Sequence, residues 1–438
     1  MTPENRRKKI LQSVKEFSEK THVQKPFQKG ISIVPVSGRV FDASDVQMLT
    51  DACLDFWLTA GRFNDAFEKK LGNQIYARFT LTTNSGSSAN LLAIASLTSP
   101  LLESRALRAG DEVITTAVSF PTTVNPLLLY GLVPVFVDMD LGTYAACTTD
   151  IEKAITPKTR AIILAHTLGN PFDVEAVAAL ARKYNLWLIE DCCDALGSTY
   201  QEKHVGTFGD IGTLSFYPAH HITMGEGGAI FTNNPKLDRI IRSFRDWGRD
   251  CWCDPGKENT CGKRFDWQLD GLPSGYDHKY IYSHLGFNLK ITDMQAAVGL
   301  AQLGHLSDFI ESRRKNFNFL KEHLSQFQDI FILPEATAKS NPSWFGFPIT
   351  IRDEAPFERR SLVRYFYEHR IETRHIFAGN ITRQPYFRDK IYKVIGDLKN
   401  SNVIMNRSFW LGVYPGLTEE MLGYVVECVE NFLLEVRV

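Results

Sequence analysis

The sequence predicts an α/β protein with a large domain built on a mainly parallel sheet and a smaller C-terminal α+β domain. Three observations carry that prediction. The chain has 438 residues, more than one compact core usually takes. Between about residues 75 and 235, short apolar runs without polar alternation are separated by amphipathic segments, as in strands covered by helices on both faces. Beyond about residue 325, strand-like and helix-like segments mix without that rhythm.

Residues 1–35 read as a helix and a linker, because Ile10, Leu11, Val14 and Phe17 recur at helical spacing between charges. Residues 36–310 form the expected large domain. Its strands are DEVITTAVSF, VPVFVDMD, TRAIILAHT, LWLIEDC, GTLSFY and GGAIFTNN, and the helix DVEAVAALARKYN precedes the fourth of them. Residues 250–285 break the pattern: they are rich in Gly, Cys, Asp and Lys, and no periodicity survives. So long an irregular stretch inside a domain is usually functional or tied down. The long helix TDMQAAVGLAQLGHLSDFIESRRKNFNFLKEHL leads into the small domain, 311–438.

Composition narrows the function classes. A formal net charge of −1 gives no support to nucleic-acid binding. No apolar run is long enough to span a bilayer, and the basic N-terminus lacks a signal-peptide core, so a cytoplasmic location is expected. Of eight cysteines, five fall in two tight groups, Cys192/Cys193 and Cys251/Cys253/Cys261. In a reducing compartment such groups point to metal or redox chemistry. The isolated Cys53, Cys147 and Cys428 are expected in the core.

Ligands of doubly wound sheets gather at the carboxyl ends of strands. There, Gly86, Ser87 and Ser88 open a helix whose free N–H groups suit a phosphate, although an ordinary capped helix has the same residues. Asp191 ends an apolar strand, where a carboxylate needs a partner such as a pyridinium nitrogen, an Arg or a backbone cap. Ser215 closes another strand before a GEGG turn, and Phe120 follows a third, placed to stack on a flat ring or to join the core.

Together with VGTFGDIGTLSFY, GEGGAIFTNN and GFNLKITDMQAAVG, these segments resemble the sugar aminotransferase family, vitamin B6 enzymes of aspartate-aminotransferase fold (fold type I) acting on nucleotide-linked 4-ketosugars. The resemblance runs from about residue 35 to the end. It implies a homodimer with active sites at the interface. Ser87, Ser88 and Ser215 would hold the cofactor phosphate, Asp191 the ring nitrogen and Phe120 the ring face, while Asn288 or Lys290 would reach the neighbouring subunit's phosphate site.

Two departures from the family pattern matter. The family lysine, which bonds the cofactor and shuttles protons, falls on His220. Imidazole cannot make that bond but remains a base or acid near neutral pH. Asp194 stands where relatives carry Gln or His near the cofactor's phenolic oxygen, and is read either as an anion or as a protonated acid.

The cysteines follow the pattern Cys193, fifty-seven residues, Cys251, one residue, Cys253, seven residues, Cys261. Four thiolates hold either a [2Fe–2S] cluster or a structural zinc, and spacing alone does not choose. Histidine for lysine combined with this pattern is similar to one branch of the family, the iron–sulfur 3-dehydrases of 3,6-dideoxysugar biosynthesis. That likeness selects Cys193 over Cys192. It implies noncovalent pyridoxamine 5′-phosphate (PMP), a [2Fe–2S] cluster, CDP-4-keto-6-deoxy-D-glucose as substrate and an NADH-dependent flavin and iron–sulfur reductase as partner. His220 would be the base, with His220 or Tyr217 as the acid for the departing C3 hydroxyl; Arg374 and Arg407 would suit the diphosphate. Three alternatives stay open: a PMP-dependent 3-dehydratase without a cluster, a non-catalytic ketosugar binder with a zinc-stapled loop, and an aminotransferase using Lys203, Lys257, Lys263 or Lys290.

Overall fold

A computed structural model describes residues 1–23, 25–253 and 256–436. Residue 24 of the expected linker, 254 and 255 of the irregular loop, and the last two residues of the chain lie outside the described residues.

The central sheet has eight strands in the order β1-β9-β8-β5-β4-β2-β3-β13. They are β1 (Phe79–Thr83), β2 (Glu112–Thr116), β3 (Val133–Val137), β4 (Thr159–Ala165), β5 (Trp187–Asp191), β8 (Ile211–Ser215), β9 (Gly228–Thr232) and β13 (Lys393–Val394). From β13 to β8 every pair is parallel, and β9 alone is antiparallel to both its neighbours. Successive residues of a strand face opposite sides. Ile162 and Leu164 enter one apolar cluster, while Ala161 and Ile163 enter the other. Burial on both faces explains why these strands read as continuous apolar runs, and each buried Ile or Leu contributes roughly 1.5–3 kcal/mol. Sequence reading missed β1, whose FTLTT is mostly threonine, and the two-residue β13.

A second sheet, β10 (Phe331–Ile332), β12 (Gly346–Ile351) and β14 (Ser408–Gly412), is antiparallel. Its Phe347, Ile349 and Leu411 pack with Leu320 and Leu324 of the helix Asp293–Leu324 and with Val425 and Val429 of the helix Glu419–Val436. The helix Asp293–Leu324 starts at a capping box, with the Thr292 side chain on the Gln295 N–H and the Gln295 side chain on the Thr292 N–H. Its first turns join the large core through Ala296 and Ala297, and its last turns join the small core, so one rigid element links both. A short ribbon of β6 (Thr199–Tyr200), β7 (Lys203–His204) and β11 (Ser340–Asn341) adds a second tie. The fold is therefore the fold-type-I α/β architecture, with a mainly parallel sheet and a smaller α+β unit.

Among the described residues of 250–285, the short 3-10 turn His278–Tyr280 is the one helical element. Ion pairs of Arg264 with Glu258 and Asp277, and of Lys279 with Glu258, tie the segment down. Of the isolated cysteines expected in the core, Cys428 is buried, Cys147 is only partly buried, and Cys53 is exposed, near the end of the amphipathic helix Ala43–Asp55.

Candidate active site

The carboxyl ends of β5 and β8 and the start of the helix Gly86–Leu97 surround a cavity of about 500 Å³. Strand register builds its floor. Asp191, the last residue of β5, pairs with Ala165 on one side and Thr213 on the other. It is 5% exposed. Its Oδ2 accepts from Asn90 Nδ2 (2.7 Å) and Thr123 Oγ1 (2.8 Å), and its Oδ1 accepts from the Cys193 N–H (3.1 Å). Thr213 Oγ1 in turn donates to Asn90 Oδ1 (2.7 Å), so both ends of the Asn90 amide are fixed. A carboxylate so held is oriented before any ligand arrives.

The rim beside it suits an anion. Ser85 caps the helix Gly86–Leu97 by accepting from the Ser88 N–H at 3.1 Å. Ser85, Gly86, Ser87 and Ser215 line the cavity. Ser87 Oγ donates to Thr122 Oγ1 (3.1 Å). Ser88, expected at the phosphate, lies outside the lining, and its hydroxyl accepts from Ser85 Oγ at 3.0 Å. Residue 85 takes the rim position because a helix N-cap, not its third residue, faces outward along the axis. Glycine is required here for space. A Cβ on Gly86 would lie 2.4 Å from Ser215 Cβ and 3.0 Å from Cys193 Sγ, and one on Gly228 would lie 2.4 Å from the Ser85 backbone.

His220 and Asp194 lie together on the opposite wall, with His220 Nδ1 3.5 Å from Asp194 Oδ1. That separation is too long for a hydrogen bond, and neither His220 Nδ1 nor Asp194 Oδ2 has a partner. Burial and the Arg313 cation hold the His220 imidazole down to about 3. Burial and the nearby Asp191 carboxylate push the Asp194 carboxyl up to about 8. Burial thus favours the uncharged form of both groups, a neutral imidazole beside a carboxyl raised towards protonation. His221 faces away: its Nε2 donates to the Ser343 carbonyl at 2.8 Å.

Phe120 and Tyr217 line the cavity and are half exposed. Sequence reading missed Asn90, Thr123 and Arg313. Arg313 is buried on the helix Asp293–Leu324 and donates to the carbonyls of His220 (3.2 Å), Trp344 and Phe345 (3.3 Å each). Its signal was an arginine on the core face of an amphipathic helix. Phe345, Phe377, His375 and Trp410 close the far wall.

Several expected site residues are not brought to this cavity. Arg374 forms an isolated bridge with Trp410, and its guanidinium turns to Glu372 and the Thr373 carbonyl. The next residue, His375, is the one that faces the cavity, as neighbours on extended backbone point oppositely. Arg407 pairs with Asp353 in a separate surface hollow. Lys290 donates to Asn288 Oδ1 (2.7 Å) and sits over the Trp247 ring (3.5 Å), and neither Asn288 nor Lys290 lines the cavity of its own chain. Cys193 lines the cavity, whereas Cys251, Cys253 and Cys261 line a separate crevice with Arg264, His278 and Lys279.

Residues 40–430 match the DegT/DnrJ/EryC1/StrS aminotransferase family. The chain belongs to that family. It is 59% identical over 432 residues to the lipopolysaccharide biosynthesis protein RfbH of Salmonella typhimurium, covering 99% of both chains. It is 51% identical to the dTDP-4-dehydro-2,6-dideoxy-D-glucose 3-dehydratase of Saccharopolyspora spinosa, over 97% of this chain and 92% of the relative. The structure of E. coli GDP-4-keto-6-deoxy-D-mannose-3-dehydratase with bound hydrated PLP superposes with a TM-score of 0.81 at 27% identity, covering 91% and 99% of the two chains. The chain is accordingly an enzyme of a PLP-dependent family of sugar 3-dehydratases and aminotransferases. No helix among the described residues is long and apolar enough to cross a membrane.

The residues present fit this cofactor. The fixed carboxylate of Asp191, the Cβ-free cradle at Gly86 and the unpaired polar atoms of His220 and Asp194 converge on one cavity.

Proposed function

We propose that the protein uses noncovalently held PMP to remove the C3 hydroxyl of a CDP-linked 4-keto-6-deoxyhexose, as a homodimeric step towards a 3,6-dideoxysugar. One observation carries the reading: His220 lines the cavity and no lysine does. The relatives named as sugar 3-dehydratases support it.

When bound, PMP supplies an amine for the sugar ketone and a ring that draws electrons from its C4′ carbon. Ser85, Ser87, Ser215 and the helix N-terminus bind the phosphate. Asp191 holds the ring nitrogen, with Asn90 and Thr123 keeping its carboxylate in place. Phe120 covers the ring face. Asp194 would lie near the phenolic oxygen and tune the ring's electronics. His220 takes a proton at its imidazole from the C4′ position. The resulting imidazolium would pass the proton to the leaving C3 hydroxyl, so that water departs. Tyr217 is the second group placed to give that proton. With no lysine amine to displace the product, transfer of the amino group is disfavoured. Reduction of the dehydrated sugar would take two electrons, passed one at a time by a [2Fe–2S] cluster on Cys193, Cys251, Cys253 and Cys261 from an NADH-dependent flavin and iron–sulfur reductase. Asn288 or Lys290, which lie outside the chain's own cavity, contribute to the phosphate site of the second subunit.

The test is hydrogen exchange. PMP deuterated at C4′ is bound to the enzyme and given CDP-4-keto-6-deoxy-D-glucose without reductase. Loss of one deuterium to water, dependent on His220, is expected. Retention of deuterium with this sugar and with its dTDP and GDP counterparts would remove the dehydration reading.

A further inference from the structure

Imidazole makes no covalent bond to a B6 cofactor, so the placement of His220 has to come from the protein. Its Nδ1 is unpartnered, and its ring rests on the Phe345 ring with centroids 5.2 Å apart. The backbone does the holding. The His220 N–H donates to the Tyr217 carbonyl at 2.9 Å, and the His220 carbonyl accepts from Arg313 Nη2 at 3.2 Å. Arg313 Nη1 donates to the carbonyls of Trp344 and Phe345, 3.3 Å each. One guanidinium thus joins the turn that carries His220 to residues 343–345, which lead into β12. His221 makes a second join, from Nε2 to the Ser343 carbonyl at 2.8 Å.

The segment at the far end of these bonds is itself fixed. The Ser343 N–H donates to Ser198 Oγ and the Phe345 N–H to the Leu168 carbonyl, both at 2.8 Å. The packing is close enough that a Cβ on Gly169 would lie 2.3 Å from the Ser343 oxygen. Both donors are buried, Arg313 and His221 at 2% exposure each. A guanidinium is costly to bury, and no ion pair offsets it here: Asp194 acts on it through space, and its Nε has no partner. A planar fork that reaches carbonyls on two segments accounts for such an arginine, because lysine presents only a point charge. The cation also disfavours a second positive charge on the imidazole it holds. The other charged and titratable groups around His220 are Asp194 at 3.5 Å and His221, with Asp191, Tyr217 and Glu226 farther round the cavity.

We infer that Arg313 and His221 are positioning residues for His220: they lash its turn to residues 343–345, and Arg313 sets a fixed cation beside the imidazole. This rests on the proposed role of His220 as the base. Neither residue touches the reacting atoms; both act through the place and charge state of the ring that does.

The experiment uses the full chain carrying Arg313→Met, Arg313→Lys, His221→Phe or His221→Gln. Three quantities are read: the single-turnover rate of deuterium loss from C4′-labelled PMP, PMP affinity, and the NMR titration of the His220 ring in cofactor-free protein, assigned against His220→Asn. Arg313→Met should slow exchange by about 10–100-fold, the cost of a misplaced catalytic group, with PMP affinity within about two-fold of wild type. Its His220 ring should titrate about one pH unit higher, because a like charge has gone. Arg313→Lys keeps the charge but loses the fork, so exchange should slow while the titration stays at the wild-type position. His221→Phe should slow exchange, and His221→Gln, which restores a donor to the Ser343 carbonyl, should recover most of the rate. Unchanged rates in Arg313→Met and His221→Phe would overturn the assignment. So would rate and PMP affinity falling by the same factor, which marks general support of the cavity. If Arg313→Met does not fold, Arg313→Lys and the two His221 variants decide on rate. If wild type itself exchanges no deuterium, the base reading fails, and the titrations still decide whether Arg313 acts on His220: a shift in Arg313→Met alone supports it, and equal titration in wild type and both Arg313 variants overturns it.

Discussion

The cofactor cavity and the cysteine loop are both polar sites, but they are built in opposite ways. In the cavity, Asp191 and Ser215 take their positions from strand register, and the Asp191 carboxylate is held by Asn90 and Thr123 on buried elements. In the loop, position comes from side chains: the Arg264 fork on Asp277, the Glu258 pairs and the Trp252–His278–Trp267 stack. The cavity is therefore organised before its ligand binds, whereas the loop depends on contacts that are worth little when solvent-exposed. Charge differs too. The cavity keeps its key histidine neutral by burial beside Arg313, while His278 is backed by the carboxylate of Asp250.

That contrast is sharpened most by substitution at His220. His220→Asn should lower dehydration by about 10²–10⁴-fold, the usual contribution of a positioned base, with PMP affinity nearly unchanged because no bond to the cofactor is lost. Steady-state turnover and a PMP titration together check this. Next in size, Asp191→Asn should weaken PMP binding by about 10–100-fold, the worth of one charge-assisted hydrogen bond of roughly 1.5–3 kcal/mol. Gly86→Ala should destabilise the cavity by about 1–3 kcal/mol, since the new methyl meets Ser215, and thermal melts would register it.

The pH response separates the two regions further. Asp194 has its folded value raised to about 8, so its contribution to stability is full below the ordinary carboxyl range and is lost as pH rises through 8. His220 has its folded value lowered, so its contribution is present above about 6.5 and is lost as pH falls towards 3. Cofactor-free protein should therefore lose melting temperature between pH 6 and 9, and Asp194→Asn should abolish most of that loss. An equal decline in both proteins would show that Asp194 is not the titrating group. The smallest effect is expected in the loop: Arg264→Ala, removing largely surface pairs, should cost about 1 kcal/mol or less and leave PMP affinity unchanged.

Most of the cavity could be read in the sequence because its parts lie at ends of buried runs. Asp191 after WLIE and Ser215 after IGTL are polar residues closing apolar strands, and a local pattern reveals them. Asn90 and Thr123 escaped because nothing local distinguishes them from ordinary helix residues, and Arg313 because its core-facing position gains meaning only from the carbonyls it meets. Ser88 was preferred to Ser85 because the fragment identifies the helix start but not which hydroxyl faces out of the axis. Arg374 was preferred to His375 for a related reason: one residue of phase on extended backbone decides which side chain meets the cavity. In the loop, cysteine spacing marked Cys251, Cys253 and Cys261, which line one crevice, but His278 beside them lacked any spacing signal. Its position is set by Asp250, twenty-eight positions away, a contact that only three dimensions reveal.

The central claim is that the site holds its cofactor without a covalent bond and eliminates rather than transfers. The most direct measurement loads wild type and His220→Lys with PLP, treats both with borohydride and maps labelled peptides by mass spectrometry, with dehydration assayed in parallel. The account predicts no label on wild type, one pyridoxyl group on residue 220 of the variant, and suppressed dehydration in that variant. A labelled lysine in wild type, or undiminished dehydration in a fully labelled variant, would contradict it.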